Sequence, residues 1–419
     1  MEMVEDVVIV GAGIAGLATA VALKRVGVRA MVLERADGLR ATGSALTLFP
    51  NAWLALDALG VSHKLTSLYS PFKKGRTINI DTGIDQRFPL RGIMNDQEHG
   101  PRSVHRKTLL KALADELPAE TIRFCSKLAA IQTEEQEGST IVILRMEDGT
   151  IIKTKILIGC DGVHSMVARW LGLAEAANSG RSAARGLAVF PEGHGLEPEV
   201  QQLKHMDKRG GIIPIDDKEV YWYLTCTSPP KGAEMPRNSE LILKEVSENY
   251  ARNFPQHYLE IIQHSDLSTV TWAPLMFRYP WKIILGNLSK GNITVAGDAM
   301  HPMTPDFGQG GCAALEDAVV LGRFIGNSII ANRRLVPENL APALGGYAQE
   351  RRWRAAWLIT GSYTLWWVQQ SELKWWMKFF RTAVSILISI LSLRNANFNC
   401  GNLPTGSCDK SGGNSLKIH

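Results

Sequence analysis

The stretch that most limits what this chain can become is "DVVIVGAGIAGLATAVALKRVGVRAMVLER", residues 6–35. Residues 6–10 form a short apolar run of the kind that makes a buried strand. Gly11, Gly13 and Gly16 then make a G-x-G-x-x-G turn, and residues 17–26 have helical spacing up to Gly27. A second strand covers 28–33, and Glu34 stands at its end. Strand, turn, helix, strand and terminal acid together specify a β-α-β unit of nucleotide-binding type, which a lone glycine motif would not. Gly11 permits the tight turn, Gly13 lets backbone approach a pyrophosphate at the helix N-terminus, and Gly16 allows helix and strand to pack closely. A carboxylate at Glu34 accepts ribose hydroxyls and repels a 2′-phosphate, so FAD or NAD fits better than NADP.

Further strands are expected at about 122–124, 127–133, 140–146 and 151–159, the last two joined at Asp148-Gly149. "GSALTLFPNAWLALDALG" (43–60) reads as strand, Pro50-Asn51 break and short helix, and 103–117 as a helix introduced by Arg106. The middle differs in texture. Short strands at 186–190, 201–206, 211–215 and 220–226 are separated by Pro, Gly and acidic turns, with a helix at 239–253. This pattern is that of an antiparallel sheet inserted into a nucleotide-binding domain. The chain then returns through "NITVAG" (292–297) into "GDAMHPMTPDFGQGGCAALEDA" (297–318) and helices at 308–333 and 344–393.

Three separated motifs now coincide: "GAGIAG" with Glu34, "CDGVHS" at 160–165, and "GDAMHPMTPDFGQGG" at 297–311. In order and spacing the chain resembles the group A flavoprotein aromatic hydroxylases, which include salicylate, 3-hydroxybenzoate and 6-hydroxynicotinate hydroxylases and related plant monooxygenases. The resemblance covers most of residues 5–325. It implies an α/β fold with a Rossmann-type FAD-binding domain, an inserted mainly antiparallel β-sheet substrate domain and C-terminal helices. The corresponding division is 1–180 and 281–335 for the two FAD-binding parts, 181–280 for the substrate sheet, 336–398 for the C-terminal helices and 399–419 for a disordered, Gly/Ser/Asn-rich tail.

The same resemblance implies a set of FAD contacts. Gly11, Gly13, Ile14, Ala15, Gly16, Glu34, Arg35 and Leu128 would contact FAD, with Arg40 toward the pyrophosphate. Arg106 matches an arginine that reaches FAD from its neighbouring helix. Asp298 matches an acid that accepts the ribityl hydroxyls, and Gly297 lets backbone come near. Gly308, Gly310, Gly311 and Cys312 would present amides and helix dipole to the flavin pyrimidine ring. Asp161 and Gly162 match a motif that touches FAD and the nicotinamide donor. There the sequence departs from the pattern: Arg169 comes one residue later than the usual arginine, a rotation of about 100° on a helix. Glu316, Asp317 and His301 read as structural.

The implied reaction is reduction of FAD by NADH or NADPH, addition of O₂ at C4a to give a hydroperoxide, and transfer of one oxygen to a small aromatic or heteroaromatic ring. Substrate-side candidates are Pro305, Gln309, Tyr223 and His205; strand alternation puts Tyr221 and Tyr223 on one face and Trp222 on the other. "GGIIPI" (210–215) carries no ionisable residue, so no catalytic base is assigned. A same-scaffold reductase, or a flavin-binding regulatory protein without turnover, is the alternative.

Composition narrows the partners. The net charge of +5 comes from scattered basic residues, against a nucleic-acid partner. Six cysteines (Cys125, Cys160, Cys226, Cys312, Cys400, Cys408) form no CxxC pair and no metal spacing, which suits a reducing compartment and no metal site. With the first strand beginning near Glu5, a cytoplasmic monomer or homodimer without a leader is expected. Six of the eleven tryptophans lie at 353, 357, 366, 367, 375 and 376, followed by an uncharged run at 382–393. Twelve residues fall short of the ~20 of a membrane span. Helix packing over the substrate domain is the expectation, with peripheral membrane contact as its alternative.

Overall fold

The computed structural model describes residues 2–39, 44–90, 99–136, 139–227, 236, 238–332, 337–368 and 396–404. Arg40, Trp375, Trp376, the 382–393 run and Cys408 lie outside the described residues.

The first strand, Glu2–Val10, lies between Ile151–Gly159 and Ala30–Leu33 and runs parallel to both. Ile293–Val295 and Ile122–Arg123 extend the parallel order outward on the two sides. Val7, Val8 and Ile9 are all fully buried, as expected where helices cover both faces of a parallel sheet. The antiparallel strands Leu128–Gln136 and Ser139–Met146 pair with each other, and the second continues onto Ile151–Gly159. The helix Ile14–Arg25 packs on the late helix Gly310–Asn332, and a Cβ on Gly322 would stand 2.8 Å from that of Ala22. That glycine permits the close approach.

The second sheet has seven strands in the order Thr271–Phe277, Ala177–Val189, Glu219–Thr227, Lys208–Pro214, Glu199–His205, Lys74–Asn79, Ile84–Pro89. It is antiparallel except where Glu199–His205 meets Lys74–Asn79. The hairpin Lys74–Pro89 therefore belongs to this second sheet, whereas the division expected from sequence places it in the first FAD-binding part. Ile84–Pro89 sets three polar residues, Asp85, Gln86 and Arg87, between apolar ends, and all six residues are exposed, so the apolar alternation that marks a half-buried strand is missing.

One face of this sheet is closed by the helices Ser239–Glu245 and Gln256–Gln263, with Leu203, Ile212, Trp222 and Leu224 packed against Val246, Tyr258 and Ile262. The opposite face turns toward the flavin loop, because residues alternate across a strand. The tail also departs from expectation. Residues 399–404 are ordered: Cys400 is buried and Leu403 and Pro404 pack where Cβ atoms on Gly322 and Gly326 would sit. Apolar contact with the late helix orders this segment; 405–419 lie outside the described residues.

Candidate active site

The early turn is built from backbone packing. Gly11 has φ +102°, and a Cβ there would come 2.5 Å from the Cys160 carbonyl oxygen. A Cβ on Gly16 would stand only 1.9 Å from the Gly11 carbonyl oxygen. Gly13, by contrast, has nothing within 4 Å of its Cβ position, so one side of the turn is open. The helix that begins at Ile14 has no side-chain cap and no acid in its first turn, which leaves its amides and dipole for an anion. Glu34 accepts the Ala12 amide at 2.9 Å and the Ala36 amide at 2.9 Å, bracing the turn. Ser126 donates its amide to the Glu34 carbonyl, and this brings the buried Leu128 strand alongside; Arg35 is exposed there.

The late loop meets this turn directly. Gly297 has φ +60°, and its Cβ would lie 2.7 Å from that of Ala15. A Cβ on Gly311 would lie 2.7 Å from Leu46 and 3.6 Å from Ile14. Gly310 has only Met303 near, at 3.9 Å, and Gly308 takes φ +62° to turn the chain into the helix. Cys312 is fully buried; burial pushes its thiol up to about 12, so it acts as a packing residue. Asp298 is exposed at the loop surface, and its charge bears on Arg106.

Arg106 begins its helix half-buried, and its Nε is buried with no hydrogen-bond partner. Burial lowers its pKa, Asp298 opposes that, and Arg185 from the second sheet adds to it. The three residues thus come together from three distant parts of the chain. A half-buried guanidinium with an unmet Nε donor, a carboxylate whose charge bears on it and open glycine backbone suit a long polyphosphate and polyol ligand. FAD fits this donor and acceptor set.

Asp161 behaves differently from the expectation of a direct ligand contact. Its carboxylate accepts Ser165 Oγ at 2.5 Å and the Met166 amide at 2.7 Å, so it caps its own following helix. Gly162, at φ +80°, leaves the backbone open beside it. Arg169 is exposed and pairs with Glu175 at 3.7 Å.

Beneath the late loop lies a charge network in which Glu316, Asp317 and His301 meet arginines that carry no sequence motif. Asp317 accepts the Gly297 amide at 2.8 Å, His301 Nε2 at 2.6 Å and Arg351 Nε at 2.6 Å. Burial favours the neutral acid, but His301 and Arg351 overcome this and hold Asp317 at about 2. Burial likewise works against a charged His301, and Asp317 reverses it, raising the imidazole above its usual value. Glu316 pairs with Arg351 at 2.8 Å and with Arg354 at 2.7 Å, and accepts Asn51 Nδ2 at 2.6 Å. Arg278 donates to the carbonyls of Ala174, Ala299 and Met300; burial lowers it to about 10.

Two substrate-side candidates are corrected by these contacts. Gln309 is buried, and its amide oxygen accepts Asn51 Nδ2 at 2.8 Å, so it braces the loop from below. His205 shares the helix-packed face with Leu203, two residues away; Asp81 meets its Nδ1 at 2.5 Å and Asn253 its Nε2 at 3.1 Å. The period of two turns it away from the loop. Pro305 is exposed, and its carbonyl accepts the Gly308 amide at 2.9 Å.

Tyr221 and Tyr223 do share the loop-facing side, with ring centroids 6.3 Å apart, while Trp222 donates to Ser265 on the other. Burial raises Tyr223 to about 12, so it is a hydrogen-bond donor rather than a base at neutral pH. Gly211 lies under its ring, where a Cβ would come 2.1 Å from a ring carbon. On the same face, Arg181 grips Asp306 of the loop through two bonds of 2.9 and 3.0 Å, with Arg209 3.5 Å away. Both partners of that fork are buried, so it ties sheet to loop in a low-dielectric setting.

These features define a flavoprotein oxygenase scaffold, in which the two glycine loops meet and the second sheet faces the later one. The sequence matches the FAD binding domain family over residues 5–337, and the chain belongs to that family as an FAD-dependent monooxygenase. It is 43% identical over 410 residues to monooxygenase 2 of Arabidopsis thaliana, covering 95% of this chain and 98% of that protein. It is 34% identical over 403 residues to monooxygenase 1 of the same plant, covering 95% and 99%. The crystal structure of Klebsiella pneumoniae HpxO complexed with FAD and uric acid has the same fold, with a TM-score of 0.78 at 23% identity over 94% of this chain and 96% of that one.

Proposed function

We propose that the chain consumes NADH or NADPH and inserts one oxygen atom from O₂ into a small aromatic or heteroaromatic substrate, held between the 297–311 loop and the sheet face bearing Tyr221 and Tyr223. The late loop's contact with the early glycine turn, Gly297 against Ala15, and with the second sheet, Asp306 against Arg181, carries this reading. When bound, FAD supplies electron storage and oxygen activation at its C4a carbon. The early turn would hold its adenine half through Gly13 backbone and the helix amides, and Asp298 would accept from its ribityl chain. The amides of Gly310 and Gly311 would face the pyrimidine edge, where helix dipole favours negative charge.

On the substrate side the residues orient rather than deprotonate. Tyr223 keeps its proton at neutral pH, so it can donate to a ring oxygen or nitrogen. Arg185 and Arg209 supply positive potential on the same face, which stabilises an electron-rich, partly anionic ring. The Tyr221 and Tyr223 rings and the enclosed loop exclude water from the reacting edge. The uric acid bound in HpxO, a small heteroaromatic, supports this size and type of substrate.

Purified protein reconstituted with FAD is to be screened against phenolic acids, purines, pyridine acids and terpenoids for stimulated NADH and NADPH oxidation. Under ¹⁸O₂ the product of one compound should gain a single labelled oxygen. Reduction without label in any product would instead establish a reductase.

A further inference from the structure

A second surface, away from the proposed catalytic site, gathers exposed aromatic residues. On the helix Pro337–Val368, Trp353 is 64% exposed and Trp357 45%, one turn apart. With Thr360, Tyr363 and Thr364 they occupy an arc of about 120° on the helix. Tyr363 stacks on Phe277 at 5.5 Å, Phe277 meets Tyr279 at 4.8 Å, and Tyr279 stacks on Trp281 at 4.5 Å. Arg352 donates to the carbonyls of Ile283 and Gly286, joining this helix to Pro280–Ile284. Trp281 is 52% exposed and Leu285 81%. Large rings exposed in a cluster mark an interaction surface.

The charge beside them leans basic. Residues 279–290 contain no Asp or Glu but carry Lys282 and Lys290, and Glu350, one turn before Trp353, is paired with Arg323; Arg351 and Arg354 are buried against Glu316 and Asp317 and add nothing to this face. Lys282 and Lys290 are exposed. The sequence that follows, 369–395, has one acid, Glu372, against Lys374, Lys378, Arg381 and Arg394, with Trp375, Trp376, Phe379 and Phe380 among them. Tryptophan and tyrosine with lysine and arginine, and almost no acid, is the composition that sits at a lipid headgroup layer. Among the described residues no helix is long and apolar enough to cross a membrane.

We propose that the face formed by Trp281, Leu285, Trp353, Trp357 and Tyr363 seats the protein on an anionic lipid surface, lying in the interface without spanning it. The rings enter the headgroup layer and Lys282 and Lys290 meet lipid phosphates. The helix bearing Tyr363 also touches the late loop, since a Cβ on Gly361 would strike the Phe307 ring.

The test uses the full chain loaded with FAD and vesicles of phosphatidylcholine, alone or mixed equally with phosphatidylglycerol. The protein should float with the mixed vesicles and less with the neutral ones. W281S/W353S/W357S should lower the partition coefficient by roughly a hundredfold or more while FAD content stays unchanged. Brominated lipids should quench wild-type tryptophan emission, a readout that needs no variant. Recovery of wild type in the soluble fraction with both vesicles, absence of quenching, or flotation of the triple variant like wild type overturns the proposal. A dimer in light scattering that the triple variant dissociates, with no vesicle binding, overturns it in favour of self-association.

Discussion

The two loops that frame the site are held by different physics. The early turn is set by shape: glycines at 11 and 16 let backbone touch backbone, and Glu34 closes the turn by accepting two hydrogen bonds from backbone N–H groups. The late loop is set by charge, through Asp317, His301, Glu316, Arg351 and Arg354 below it and Arg181 with Asp306 beside it. A loop held by local sterics needs only its own residues. A loop held by buried ions needs partners brought from far along the chain, and each partner is costly to lose.

That contrast can be broken experimentally. Arg351→Ala leaves two buried carboxylates short of a cation and should cost about 3–5 kcal/mol in chemical denaturation; a loss under 1 kcal/mol would show that the network is dispensable. Asp306→Asn keeps the shape but removes the charge facing buried Arg181. It should cost about 2–3 kcal/mol and lower kcat more than FAD affinity; unchanged turnover would argue that the sheet–loop tie does not matter for catalysis. Gly16→Ala forces backbone apart and should cost about 1–3 kcal/mol together with FAD retention after gel filtration. Full retention would mean that the turn can shift. The last effect is a pH slope. His301 is raised above its unfolded value of 6.5, so its stabilisation is complete below 6.5 and is lost as pH rises through the folded value. Wild-type stability should therefore decline on the alkaline side of 6.5, and His301→Gln should flatten that decline. Parallel profiles for the two proteins would place the slope elsewhere.

The same difference explains what could be read before the structure. The β-α-β unit and most strands are local signals, and the expected parallel and antiparallel layers appear. The flavin-loop candidates at Gly297, Asp298, Gly310 and Gly311 fall at the junction because their motif is contiguous. Arg351, Arg354, Arg278 and Asn51 carry no motif, since a partner 34 residues away in a helix, as Arg351 is to Asp317, leaves no spacing to recognise. Gln309 and His205 were misplaced for a related reason: residue type suggested chemistry, while side-chain direction gave each a buried partner. The hairpin Lys74–Pro89 escaped because its exposed second strand lacks alternation. A signal for Asp306 did exist, an acid in the proline loop, but its arginine lies 125 residues earlier.

Asp317 and Glu316 draw their cations from residues 351 and 354, well past the loop they support. During synthesis the early turn leaves the ribosome first, and the late loop follows more than 280 residues later. Even then its two acids wait for arginines not yet made. A nascent chain stopped before residue 351 would carry the glycine turn for one end of the cofactor with an unbalanced anionic pair under the other. Capture of the cofactor in the cell is thus timed to the emergence of the C-terminal helix, and the arginines there act as the completion mark of a finished chain.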